Sequence, residues 1–304
     1  MNNFTFALVP VLVLIVIGYL LKRSAFMSDD AWSGMEKLTY YILFPALLVH
    51  TLGNRSVEGL PWLTILMIVS ATLIISALIL VIWHKIFQSV SGPTFTSIFQ
   101  GGVRFNTYIG FAVCAAFYGP EGLAVCAVAA TFMIVLINVL CISVFAIWGE
   151  NNSGPASILR DLIKNPLIIG CVIGGLLSVS GIGLPGVTSE ILEIVGRAAL
   201  PFGLLAVGAA LRLDAVKGHI KSIALTSLVQ FGVKPLTVIS LLYAIDLSGV
   251  VAGTLIIVFI VPTASSAYIL ARQLGGDTET MSSIITFQTL LAFLLMPLIA
   301  MVAL

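Results

Sequence analysis

The stretch GGVRFNTYIGFAV, Gly101 to Val113, places an arginine and an asparagine inside an otherwise apolar segment. A later apolar segment, FIVPTASSAYILARQ from Phe259 to Gln273, is interrupted by a proline. Proline removes a helix hydrogen bond, and asparagine is a strong helix N-cap. Both segments are therefore predicted to be helices that break and restart, with Asn106 capping one restart and Pro262 opening the other.

The composition indicates an integral membrane protein. Of the 304 residues, 60% are hydrophobic and only 9% are charged, with a mean hydropathy of +1.16, whereas about a quarter of the residues in a soluble domain are charged. The formal net charge of +1 shows no basic bias, so no nucleic-acid partner is expected. The lipid bilayer is the predicted environment.

Ten apolar runs are long enough to cross a bilayer as helices, which takes roughly 17 to 25 residues each. They lie near residues 4–21, 36–53, 62–83, 94–118, 122–148, 160–180, 190–211, 219–243, 249–271 and 280–303. The protein is therefore predicted to be all-α.

The basic residues predict the orientation. With the amino terminus outside, ten of the 14 Lys and Arg residues fall in cytoplasmic loops and only Arg55 and Arg197 fall outside, while Arg104 and Lys234 lie within spans. The positive-inside rule then predicts that both termini lie outside the inner (plasma) membrane.

A sequence repeat divides the chain into two halves. Pro10, Gly18 and Pro45 have counterparts 156 residues later, at Pro166, Gly174 and Pro201. The predicted units are residues 1–148, a cytoplasmic linker at 149–159, and residues 160–304. Because each half holds five spans, the second half enters the membrane in the opposite orientation, and such inverted repeats are typical of secondary transporters.

The same offset carries Asn106 onto Pro262, so the two predicted breaks correspond. Both restarting half-helices would present their positive amino ends to the bilayer centre, where an anion is favoured. Short donors surround that point, and the candidate binding residues are Asn106, Pro262, Thr107, Tyr108, Thr263, Ser265 and Ser266.

Arg104 and Lys234 complete the predicted anion site. A basic residue at mid-membrane costs at least about 2.5–3.5 kcal/mol and usually faces a cavity. In the alternative interpretation Arg104 snorkels and Lys234 bonds carbonyls freed by Pro235. No carboxylate lies well inside a span, which argues against a dedicated proton or sodium carboxylate. For Gln288 two roles are considered: an interhelical hydrogen bond, or a place in the binding site.

The chain resembles the auxin efflux carrier family of membrane transporters. The resemblance rests on ILFPALLVHTL in the second span, RFNTYIGFAV in the fourth, VKPL in the eighth, VPTASSAYILARQ in the ninth and ITFQTLLAFLLMPL in the tenth. It implies a scaffold of helices 1, 2, 6 and 7, crossed and broken helices 4 and 9, an elevator-like motion and a dimer formed through the scaffold.

The resemblance also implies transport of carboxylates, with malate, malonate and auxin-like acids among the family's substrates. Plant members carry a proline shortly after the asparagine of helix 4, where this chain reads YIGFAV from Tyr108 to Val113. The fourth helix is therefore expected to be less sharply broken.

The leading interpretation is a secondary transporter of small organic anions, with no catalytic residue, metal or cofactor. A cation/proton antiporter or a sodium-coupled symporter on the same architecture is the alternative. An intramembrane hydrolase has little support, because the GGD at Gly275–Asp277 is typical of a turn between spans. A receptor that binds an anion without moving it is not separable from a transporter by sequence.

Overall fold

The structure, a computed structural model, describes residues 2–53, 60–150, 163–216 and 219–303. Within these ranges every regular element is helical. The α-helices are α1 (Asn2–Arg23), α2 (Asp29–Leu38), α3 (Phe44–Gly53), α4 (Trp62–Phe87), α5 (Gly92–Val103), α6 (Thr107–Trp148), α7 (Pro166–Val179), α8 (Thr188–Arg197), α9 (Ala199–Ala209), α10 (Ile220–Leu228), α11 (Lys234–Ala244), α12 (Gly249–Ile260), α13 (Ser266–Leu274) and α14 (Thr278–Ala303).

Short irregular turns connect several of these helices. The π-helical segments Thr39–Leu43 and Val229–Val233 join α2 to α3 and α10 to α11, and a 3-10 turn at Leu213–Val216 follows α9. Helix α6 is kinked at Gly119, whose φ of 62° and ψ of −149° are non-helical. Two helices meet at this kink, so that α6 contains the end of the fourth predicted span before Gly119 and the whole of the fifth after it.

All ten predicted spans coincide with helical segments. Six described stretches are long and apolar enough to cross a membrane, and two shorter apolar helices, α7 and α12, accompany them. One of the six is the 57-residue stretch Gly92–Trp148, which holds two predicted spans. The helical, apolar architecture is that of a multi-pass membrane protein. Arg55, Arg160, Lys217 and most of the predicted linker lie outside the described residues.

Both predicted helix breaks are present, but their details differ from the prediction. Helix α5 ends at Val103 and α6 begins at Thr107 with Asn106 as its N-cap, as predicted. Pro262 does not open the other restart, because Val261 is extended and α13 begins only at Ser266. The carbonyl of Pro262 accepts from the N–H of Asn106, and the N–H of Thr263 donates to the side chain of Gln288. These backbone groups therefore need no hydrogen bonds within a helix.

The fourth predicted helix is fully interrupted, although this chain lacks the proline that plant carriers have shortly after the asparagine. Arg104 is extended, with φ −71° and ψ 163°, and Asn106 is extended, with φ −84° and ψ 103°. The expectation of a weaker break was therefore wrong. The asparagine side chain supplies the N-cap that a restarting helix needs, so proline is not required.

Helices α1, α3, α7 and α9 pack closely through glycines. A Cβ at Gly18 of α1 would collide with the backbone of Leu205 in α9, and a Cβ at Gly174 of α7 would lie 3.1 Å from Cα of Val49 in α3. Gly18 and Gly174 are 156 residues apart, and so are Val49 and Leu205. The two glycine contacts are therefore related by the same offset as the sequence repeat.

Residues with positive φ recur at the same offset. Ala25 and Gly181 have φ values of 52° and 70°, and Gly119 and Gly275 have φ values of 62° and 72°. Glycine adopts a positive φ without steric cost. The ψ values of Gly119 and Gly275 differ, at −149° and 42°, so only the positive φ recurs at this offset.

The helices that precede the breaks form the most enclosed part of the molecule. Every residue of α5 from Phe95 to Val103 is buried, and so is every residue of α12 from Ala252 to Ile260. Helix α12 packs against α6, while α5 packs against α4, α10 and α14. The ends of α5 and α12 are therefore enclosed by protein on all sides.

Candidate functional site at the crossed helix breaks

The two breaks touch each other through Asn106. Its backbone N–H donates to the carbonyl of Pro262 over 2.7 Å, and its side-chain Oδ1 accepts from the N–H of Ile109 over 3.1 Å. The side chain is only 1% exposed, yet its Nδ2 has no hydrogen-bond partner among the described residues. Asn106 thus joins the breaks, caps α6 and leaves one buried donor unused.

Lys234 closes the carboxyl end of α5. Its Nζ donates to the carbonyls of Val103 and Arg104 over 3.0 and 3.1 Å and to Oε1 of Gln230 over 2.7 Å. The side chain is completely buried, and these three acceptors use all three ammonium protons. Lys234 therefore neutralises the negative end of α5. The carbonyls belong to the last residue of α5 and to its C-cap, and they are not those freed by Pro235.

Two glutamines hold the other free backbone groups. Gln230 donates through Nε2 to the carbonyl of Val261. Gln288 accepts from the N–H of Thr263 over 3.0 Å and donates to the carbonyl of Gly101 over 3.0 Å. Both side chains are fully buried, so each bridges a break to a neighbouring helix.

The Arg104 side chain extends toward the second part of α6. One terminal guanidinium nitrogen donates to Oδ1 of Asn138 over 3.2 Å, while its buried Nε has no partner among the described residues. The side chain of Arg104 is half-buried. The ion pairs between described residues, Lys22–Asp29 and Arg197–Glu193, include neither Arg104 nor Lys234. Two positive charges therefore lie at the crossing without a paired carboxylate.

The amino end of α13 is partly open. Its N-cap residue, Ser265, makes no side-chain capping bond. The N–H groups of Ala267 and Tyr268 donate to the carbonyls of Ala264 and Ser265 over 3.1 Å each, whereas the N–H groups of Ser265 and Ser266 have no backbone acceptor among the described residues. Ser265 is half-buried and Ser266 is exposed, so this end is accessible. Thr107, the first residue of α6, is also half-buried. The protein thus satisfies the carboxyl ends at the crossing and leaves an amino end available.

Tyr108 is the predicted site residue that the structure directs elsewhere. Its ring lies 5.0 Å from the ring of Phe44 in α3, and a Cβ on Gly203 of α9 would lie 2.6 Å from its Cδ1. The side chain therefore contacts α3 and α9 beside the crossing. Hydrogen bonds connect the following predicted site residues or their immediate neighbours: Arg104, Asn106, Lys234, Pro262, Thr263 and Gln288.

A cavity beside α13 contains residues that the sequence did not single out. Its volume is about 490 Å³, and its lining includes Lys22, Arg23, Arg212, Asp214, Tyr268 and Glu279. Arg212 follows the end of α9, where the positive-inside count treated it as an ordinary cytoplasmic loop charge. Its place beside Tyr268 of α13 depends on the packing of the segment after α9 against α14, so no local pattern in the sequence reveals it.

Comparisons with known proteins agree with this architecture. The model of the family described as "Membrane transport protein" matches residues 3–300. An uncharacterized transporter of Methanothermobacter thermautotrophicus is 22% identical over 97% of this chain and 96% of its own length. A protein of Rhizobium meliloti provisionally named a malonate transporter is 24% identical over 96% of this chain and 93% of its own length.

A shorter match reaches a different group of carriers. The human ileal sodium/bile acid cotransporter is 32% identical over 115 residues, which cover 37% of this chain and 33% of that protein. The family model, by contrast, spans nearly the whole sequence. With its apolar helices and the full-length match, the chain belongs to the membrane transport protein family.

Proposed function

We propose that this protein is a secondary transporter that moves small organic anions, carboxylates above all, through the crossed helix breaks. One observation carries the proposal. Lys234, Gln230, Gln288 and the amide of Asn106 occupy the backbone carbonyls at the breaks, whereas the amino end of α13 has no side-chain cap. Such an end carries about half a positive charge and binds anions.

Buried donors favour the same ligand. Nδ2 of Asn106 and Nε of Arg104 are buried without an acceptor among the described residues, although buried polar groups are almost always hydrogen-bonded. A carboxylate oxygen accepts from amide and guanidinium donors alike. Lys234, whose Nζ donates to the Val103 and Arg104 carbonyls, neutralises the negative carboxyl end of α5 and so removes a repulsion that an anion would meet.

The repeat supports alternating access. Under the proposed division into residues 1–148, a linker at 149–159 and residues 160–304, Asn106 and Pro262 are equivalent positions that contact each other. The contacts Gly18–Leu205 and Val49–Gly174 are also equivalent, because Gly174 corresponds to Gly18 and Leu205 corresponds to Val49. We propose that α1, α3, α7 and α9 form the scaffold of a homodimer, and that the crossed helices move past it like an elevator. Both termini then face outward from the plasma membrane.

The relative named for malonate transport supports a carboxylate substrate. The decisive experiment is flux into proteoliposomes that contain the purified protein, using labelled mono- and dicarboxylates. Uptake of at least one carboxylate, with loss of uptake in Asn106→Leu, is expected. If no carboxylate is taken up under any imposed gradient, the proposed function is wrong.

Sodium-coupled symport is the second candidate, favoured by the partial match to the sodium/bile acid cotransporter. The test uses the same proteoliposomes with a sodium gradient, a proton gradient or neither. Uptake that requires inward sodium would establish symport. Equal uptake under all three conditions would establish uncoupled transport, because a coupled carrier cannot ignore its coupling gradient.

A further inference from the structure

The cavity beside α13 lies between two groups of helices. Lys22 and Arg23 come from the end of α1 and Arg212 from the segment after α9, while Tyr268 belongs to α13 and Glu279 to α14. The first two helices belong to the proposed scaffold, and the other two adjoin the crossing. The cavity therefore lies between the proposed scaffold and the helices that adjoin the crossing, with Tyr268 as its lining residue from α13.

Helix α14 shows how deep Arg212 lies. The backbone N–H of Arg212 donates to Oγ1 of Thr286 over 3.1 Å, and Gln288 of the same helix bonds Thr263 at the crossing. Two residues of a helix rise only about 3 Å along its axis. Thr286 is eight residues beyond Thr278, the start of α14, or about 12 Å into the helix. The backbone of Arg212 is therefore anchored near the level of the crossing, and its side chain lines a cavity that reaches the first turn of α14 at Thr278 and Glu279.

The guanidinium of Arg212 is available to a ligand. It stacks over the ring of Tyr268 at 5.3 Å, its side chain is exposed, and it belongs to neither ion pair formed between described residues. Tyr268 is two residues beyond Ser266, so the tyrosine that supports the guanidinium lies in the first turn of α13. The cation is thus held by a residue of the first turn of α13.

The other charged groups around the cavity differ from Arg212. Lys22 pairs with Asp29 at 2.5 Å, and Arg23 donates to the hydroxyl of Tyr19 over 2.9 Å. Asp214 and Glu279 are exposed and pair with no described cation. Arg212 is the cation that combines an unpaired guanidinium with a position beside α13.

We propose that Arg212 is a specificity-determining residue that binds the second carboxylate of a dicarboxylate substrate while the first lies at the amino end of α13. This inference rests on the proposed function and names the substrate class of the same site. A guanidinium binds a carboxylate through two parallel hydrogen bonds, and stacking on Tyr268 orients its plane. A monocarboxylate has no second carboxylate for Arg212 to bind, so Arg212 does not increase its affinity.

The test compares ligands of matched length on purified protein. Malonate is compared with propionate, and succinate with butyrate, by ligand-induced thermal stabilisation, which reports affinity. Wild type should bind each dicarboxylate more tightly than its monocarboxylate partner. Arg212→Gln should weaken dicarboxylate binding roughly 10- to 100-fold, the factor for a hydrogen bond to a charged group, and leave monocarboxylate binding within about twofold.

Two further variants serve as controls. Arg23→Gln removes an equal charge from the same cavity and should leave the preference for dicarboxylates unchanged. Arg212→Lys keeps the charge but loses the paired hydrogen bonds, so it should fall between wild type and Arg212→Gln, and it tests the proposal even if Arg212→Gln does not fold.

The outcomes separate this inference from the proposed function. Three results would overturn the role of Arg212 and leave anion transport standing. Arg212→Gln could weaken both ligand classes equally, it could weaken neither, or the wild type could show no preference for dicarboxylates. A wild type that no carboxylate stabilises and that transports none would overturn the proposed function itself.

Discussion

The backbone N–H of Asn106 donates to the carbonyl of Pro262 over 2.7 Å, which joins two helix breaks that lie 156 residues apart. The same separation of 156 residues relates Pro10 to Pro166 and Gly18 to Gly174. Under the proposed two-repeat arrangement, the bond links equivalent positions and lies beside the axis that relates the halves. A change at this point acts on both halves together.

Asn106→Ala is expected to abolish carboxylate binding and to lower the stability of the protein by about 1 kcal/mol, since it removes both a helix cap and a buried donor. Asn165→Ala is the matched control. Asn165 is also buried and caps α7 by accepting from the N–H groups of Leu167 and Ile168, but it lies away from the crossing. It should lose similar stability and keep transport. Equal transport in both variants would exclude Asn106 from the site.

Lys234→Met is expected to destabilise the protein strongly. The change leaves the carbonyls of Val103 and Arg104 without a donor, and each unsatisfied buried group costs about 1–3 kcal/mol. That loss should exceed the gain from removing a charge from the membrane. Thermal unfolding in detergent measures it, with Lys221→Met, at an exposed position of α10, as control. An unfolding temperature equal to that of wild type would contradict the capping role.

Gly203→Ala is expected to slow transport while carboxylate affinity stays within about twofold. The new Cβ would lie 2.6 Å from Cδ1 of Tyr108, at the contact between α9 and α6 that must slide in the proposed elevator motion. Gly175→Ala on α7 is the control, because its Cβ would meet no atom within 4 Å. Initial rates in proteoliposomes and ligand-induced stabilisation give the two readouts. Unchanged rates would show that this contact does not limit motion.

Single cysteines at Lys37, Lys85 and Arg197, all exposed, test the orientation. The four native cysteines are at most 6% exposed, so an impermeant thiol reagent should leave wild type unlabelled. In intact cells Arg197→Cys should be labelled, whereas Lys37→Cys and Lys85→Cys should be labelled only after lysis. The opposite pattern would invert the proposed topology.

Asp277 is expected to make stability depend on pH in acid. Partial burial alone would raise the pKa of its carboxyl, but hydrogen bonds from Thr280 and Thr94 outweigh burial and hold the pKa below its usual value. A lowered folded-state pKa contributes stability above the unfolded value of about 3.9, and the contribution disappears as pH falls through the folded value.

The unfolding temperature of wild type should therefore exceed that of Asp277→Asn by a constant amount from about pH 8 to pH 5, and the difference should shrink below about pH 4. Asp246→Asn at an exposed turn should show no comparable difference. A gap between wild type and Asp277→Asn that persists at the lowest pH would mean that the carboxylate charge is not the stabilising feature.

Local signals in the sequence were sufficient to predict the helices and the breaks. Apolar runs long enough to cross a bilayer predicted where the helices lie, and six described stretches are long and apolar enough to span, because backbone groups inside a bilayer must be hydrogen-bonded within a helix. Asn106 was correctly predicted as a cap, since capping depends on the residue and its next three neighbours. The restart at Ser266 was not, because it depends on bonds that Pro262 and Thr263 make with distant segments.

The partners of the polar side chains were decided by tertiary structure. Lys234 and Gln288 were recognised as polar residues in spans, but their bonds to the carbonyls of Val103 and Gly101 connect residues 131 and 187 positions apart. Arg212 is an ordinary loop charge in the sequence, and only the packing of the segment after α9 against α14 brings it to Tyr268. Composition and hydrogen-bonding rules act within a few residues and thus determine helices from sequence, whereas a binding site needs groups from several helices whose distances are set only by packing.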